Sequence, residues 1–142
     1  MIRKIAIVSL ALLISSAASA RDEVGRYSVE DLLKTSDAKS VLNDVQLYFG
    51  NQKTPSVKEK FGEVMSNKKT NSFMKSDQEA CHWVMLSALK ALQERAQREG
   101  MNAVINIQSF YKKREFISDT EFECGAGSVM AGVTLKGTLV KI

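Results

Sequence analysis

Residues 76–112 read SDQEACHWVMLSALKALQERAQREGMNAVINIQSFYK, and this stretch decides the architecture. Ser76, Asp77, Gln78 and Glu79 form an S-x-x-E capping box, in which the Ser76 hydroxyl accepts from the Glu79 amide. Asp77 and Glu79 also place negative charge at the positive end of the helix dipole. Cys81, Val84, Met85, Ala88, Leu89, Leu92 and Ala96 recur at spacings of three and four, which makes one buried stripe. Lys90, Gln93, Glu94, Gln97 and Arg98 fall largely on the opposite side. Gly100 follows the last periodic residue and suits a left-handed stop. The pattern predicts a helix over about 77–99, then a strand from Ala103 to Tyr111 rich in β-branched and aromatic residues.

Thr120 to Ile142 is rich in valine, threonine and small residues and predicts one long bent strand or two, with glycines at bulges or close contacts. The link from Lys112 to Asp119 suits a loose antiparallel hairpin between the two runs. Upstream, Ser28 and Asp31 can open a short helix, and Ser36-Asp37 a second through Leu42. Strands are expected at Val45–Phe49 and Phe61–Ser66, with Asn67–Met74 as a polar, basic loop. The expected fold is therefore α+β: one long amphipathic helix packed on an antiparallel sheet of about four strands, with short N-terminal helices.

Residues 1–20, MIRKIAIVSLALLISSAASA, have a positive start (Arg3, Lys4), an apolar run from Ile5 to Ile14 and small residues at Ala18 and Ala20. That is the layout of a secretory signal peptide, and the apolar run is too short for a membrane span. Residue 21 is arginine rather than cysteine, so no lipid anchor is expected at the cleaved end. Residues 21–142 then form a single domain. Losing Arg3 and Lys4 lowers the formal charge of +4 by two, so the basic balance says little about nucleic acid. Two cysteines, Cys81 and Cys124, in an exported chain point to one disulfide, with a free thiol pair as the alternative. The expected location is periplasmic or secreted.

Chemistry-bearing residues are few. His82 is the only histidine. With Met85 and a thiolate it would suit a soft metal, but residues 81 and 82 diverge on a helix, so His82 and Met85 stand only as weak candidates and no metal or cofactor is expected. No G-x-S-x-G elbow accompanies His82. Glu121 and Glu123 share a strand face and read as solvated carboxylates. Gly132 to Thr138 approaches a phosphate loop but lacks the lysine after Gly137, and no helix follows. Lys68, Lys69, Lys75, Lys112, Lys113 and Arg114 are the candidate surface for an anionic partner, with Phe73, Phe110 and Tyr111 as stacking groups.

The stretch 88–110, ALKALQERAQREGMNAVINIQSF, resembles the helix, turn and strand unit of the YbjQ-like and RcsF-like domains, and 127–142, GSVMAGVTLKGTLVKI, resembles their last strand. The resemblance covers residues 76–142 and implies a cysteine before the helix bonded to one on a late strand, here Cys81 and Cys124. The chain lacks the RcsF-like second cysteine pair and lipid-bearing cysteine. The segments YFGNQ, SNKKTNSFMKSDQEACHW and TEFECGAGSVMAGVTLKG are similar to those of small exported bacterial proteins bearing the name "excinuclease ATPase subunit". The missing phosphate loop argues against ATPase chemistry. The expected role is a non-enzymatic envelope module for binding or sensing, with an envelope protein or an anionic glycolipid as partner and no nucleic acid. The alternative is a small-ligand or metal-binding protein built around Cys81, His82 and Met85.

Overall fold

The computed structural model describes residues 23–142, and the sequence-predicted signal peptide lies outside them. In chain order the elements are β1 (Glu23–Ser28), α1 (Val29–Leu33), α2 (Ser36–Val41), β2 (Gln46–Phe49), β3 (Glu59–Asn71), α3 (Asp77–Arg98), β4 (Ala103–Ser109), a 3-10 turn (Tyr111–Lys113), β5 (Glu121–Ala126) and β6 (Met130–Lys141). The strands form one sheet of six.

This corrects the expected four-stranded antiparallel sheet in three respects. The sheet is mixed, because β2 runs parallel to β4. The β1 strand, unmarked by any clean alternation, pairs along its whole length with β5. The expected loop 67–74 is strand as far as Asn71, continuing the β3–β6 ladder. The sheet, rather than the helix, dominates the architecture.

The twelve residues of β6 are its spine. Along one edge β6 pairs antiparallel with β3, from Glu59↔Lys141 to Asn71↔Met130. The opposite edge is shared, with β4 on the C-terminal half and β5 at Gly125↔Gly132 and Ala126↔Ala131. So the 103–111 run does not make a hairpin with the segment that follows it; β5 intervenes and β4 reaches β6. A bulge between Ile105 and Gln108 interrupts the β4–β6 ladder, which resumes at Gln108↔Lys136, and Asn106 within it has a positive φ of 52°. The phosphate-loop-like residues Gly132 to Thr138 lie wholly within β6.

Helix α3 covers one face of the sheet. The Ser76 hydroxyl accepts from the Glu79 amide at 3.1 Å. At the other end Gly100 (φ 72°) donates to the Gln97 carbonyl and Met101 to that of Ala96, a Schellman stop. The whole apolar stripe is buried, joined by Ala80 and Leu86. Each large apolar side chain so covered contributes about 1.5–3 kcal/mol. At Gly137 a Cβ would lie 2.6 Å from Val104 Cγ1, so only glycine lets β6 pass this close beneath the layer. Gln93 departs from the expected polar face: it is 1 % exposed and ties α3 to the loop before β2.

Candidate functional site

Cys81 and Cys124 form a disulfide between α3 and β5, with Cα atoms 5.9 Å apart. This fixes where the first turns of α3 sit, and it removes both sulfurs from thiolate chemistry. Met85 is fully buried in the core. Among the described residues no group of three or more His, Cys, Asp or Glu side chains converges as a metal site. Of the two weak metal candidates, Met85 thus lies in the core, whereas His82 faces a surface cleft.

His82 instead lines a cleft of about 320 Å³ with Thr35, Asp37, Lys75, Glu79, Trp83 and Leu86. Burial pulls the His82 pKa below its ordinary value, opposed by the negative charge of Asp31. The hydroxyl in this cleft is not poised as a nucleophile: Thr35 Oγ1 donates to the Leu32 carbonyl at 2.7 Å and accepts from the Ala38 amide at 3.1 Å. It is thus engaged as the cap of α2. Glu123 pairs with Arg26 at 3.6 Å, which gives that carboxylate a structural partner.

The six basic residues divide among three places. Lys75 lines the His82 cleft. Lys68 lies beside Arg95 and Arg98 in a groove between β3 and α3. Lys69 and Lys112 converge on Tyr111, on the sheet face away from α3. The Tyr111 ring lies against Gly125 and Gly132, Lys69 Cγ is 3.7 Å from where a Gly132 Cβ would be, and Lys112 Nζ is 5.6 Å from the ring centroid. Lys113 and Arg114 follow directly on the same turn and connection. On that face Lys136 Nζ sits 3.6 Å over the Phe110 ring and Arg26 4.1 Å over that of Phe116.

The fold also assembles an apolar tip that sequence alone does not single out. Ser72 donates its amide to the Val129 carbonyl at 2.7 Å and its hydroxyl to that of Gly127 at 2.8 Å. This binds the loop before α3 to the β5–β6 turn, so that Phe73, Met74, Val129 and Met130 are exposed at one end of the β3–β6 ribbon. Met74 is 90 % exposed and left-handed at φ 60°, a conformation that methionine rarely adopts. Lys69 and Lys75 flank the segment in sequence. The signal in the sequence is the insertion of Phe73-Met74 into an otherwise polar stretch, but its partner Val129-Met130 is 55 residues away.

Among the described residues no helix is long and apolar enough to cross a membrane. No family model matches the chain, and neither curated proteins nor solved structures yield a significant match.

Proposed function

We propose that the protein is a non-enzymatic binding module of the bacterial envelope that docks onto an anionic glycolipid or phospholipid surface. The observation that carries this reading is the apolar tip: four large side chains exposed at one end of the β3–β6 ribbon, on a segment flanked in sequence by Lys69 and Lys75. An apolar wedge enters the headgroup boundary while flanking ammonium groups meet lipid phosphates, and both contributions add. A periplasmic or secreted location belongs to the same proposal. It is supported by the signal-like first twenty residues and by the Cys81–Cys124 disulfide, which persists in oxidising compartments. The resemblance of residues 76–142 to YbjQ-like and RcsF-like domains is part of the proposal too.

The test is co-sedimentation with vesicles of phosphatidylglycerol, of lipopolysaccharide-bearing mixtures and of phosphatidylcholine. Binding to the anionic vesicles is expected, and weakens with salt. Phe73→Ser combined with Met74→Ser lowers it by at least about tenfold, since two apolar contacts of this size are lost. Equal retention on neutral vesicles, or none on any, sinks the proposal. The His82 cleft favours a second reading, a small-ligand protein. Its mark is saturable binding of a soluble compound that His82→Gln abolishes while vesicle binding is unchanged.

A further inference from the structure

The groove between α3 and β3 carries a second feature, independent of the tip. It has a volume of about 200 Å³ and is lined by Val64, Ser66, Asn67 and Lys68 from β3 and by Arg95 and Arg98 from α3, among others. Strand residues 64, 66 and 68 share one face, and helix residues 91, 95 and 98 share another, so the two elements present these groups to each other. The Ser66 hydroxyl is the informative atom. Ser66 is 6 % exposed, and its Oγ has no hydrogen-bond partner. Buried hydroxyls are nearly always satisfied, and an orphan asks for a missing partner. Around the groove that hydroxyl is accompanied by three cationic side chains, Lys68, Arg95 and Arg98.

Arg95 is held in place: Nε donates to Glu99 Oε1 at 3.1 Å, and the guanidinium carbon lies 5.6 Å from the Phe61 ring centroid. Its terminal nitrogens have no acceptor among the described residues. Lys68 and Arg98 likewise have no ion pair there. A structural network would have supplied carboxylates to a cluster of three cations, yet among the described residues the one ion pair made by these three side chains is Arg95–Glu99.

We infer that this groove is a binding site for a phosphate group, a small tetrahedral oxyanion. Arg95 and Arg98 donate from α3, and Lys68 adds a point charge from β3. The Ser66 hydroxyl donates from the floor. Arginine forks suit a multidentate oxyanion better than a halide. The phosphate has two sources, free phosphate or phosphate esters and the headgroup of a lipid. The site rests on different residues from the apolar tip, so either can fail alone.

The experiment is a titration of the full chain with inorganic phosphate, followed by amide NMR shifts and calorimetry, with chloride at matched ionic strength as control. Saturable shifts confined to residues 64–68 and 91–98 are expected. Arg98→Gln and Lys68→Gln each weaken binding by about tenfold, as loss of one charged contact does. Ser66→Ala also weakens binding, while the thermal midpoint of the free protein holds or rises, because an unsatisfied buried hydroxyl has gone. A merely structural serine would not affect phosphate affinity. Linear, unsaturated shifts, or affinities unmoved by all three variants, overturn the inference. Phosphatidylglycerol vesicles then separate the sources. Competition between vesicles and phosphate, lost in Arg98→Gln, assigns a headgroup; phosphate binding without such competition assigns a soluble phosphate.

Discussion

At the scale of single residues, the protonation of His82 is coupled to the fold through burial. Its ring is partly desolvated in the cleft, which disfavours the imidazolium; Asp31 opposes this, and Asp37, Glu79 and Lys75 face the same space. Its folded-state pKa lies below the usual 6.5. The unfolded chain therefore binds the proton more tightly, and stability rises with pH across that window. The contribution is complete above the unfolded value and is lost as pH falls through the folded one. Thermal melts of wild type and His82→Gln between pH 8 and 4.5 check this: the wild-type advantage over the variant should shrink below about pH 6.5. A parallel pair of curves would mean that the ring is solvated in the folded protein.

At the scale of elements, Gln93 shows how α3 is locked to the other layer. Its amide oxygen accepts from the Asn43 amide at 3.0 Å, and its nitrogen donates to the carbonyls of Asn43 at 3.2 Å and Val45 at 2.9 Å. These bonds satisfy the loop that delivers β2 to its parallel place beside β4. Gln93→Leu would strand three backbone groups, and a loss of about 2–4 kcal/mol is expected in urea unfolding. Hydrogen exchange should be faster at residues 43–46 in particular. A variant as stable as wild type would show that water replaces the side chain. By helical position Gln93 reads as a solvated residue, because periodicity reports which way a side chain points relative to one apolar stripe. It carries no information about a loop 50 residues away.

For the whole molecule, the disulfide spans 43 residues and joins the helix layer to the sheet. In the chain-entropy account a loop of this size is worth about 4 kcal/mol. Replacing both cysteines by alanine should lower the urea midpoint accordingly, and reductant should lower the wild-type midpoint to match. If reductant leaves the midpoint where it was, the crosslink is not what limits the unfolded chain. The sheet itself was only partly legible. Strands β2 and β4 stand out by composition, as does the β5–β6 region. The first strand is short and mixed, EVGRYS, and its pairing with β5 depends on a segment almost a hundred residues later.

What could be read from the residues alone is what acts locally. The serine cap, the apolar stripe and the glycine stop work within a few residues, so α3 was legible with its ends. Two cysteines in an export-like chain pointed to a disulfide, and the geometry joins them. Features that depend on long-range register emerge only in the folded chain. The order β1-β5-β6-β4-β2 with β3 beside β6 follows from which edges β6 leaves open, and no periodicity encodes that. The same holds for surfaces. The six basic residues look like one patch in sequence, but opposite faces of a sheet and the far side of a helix separate them into three. The apolar tip and the groove over Ser66 arise because pairing along β3 and β6, and packing of α3 against β3, bring distant residues together.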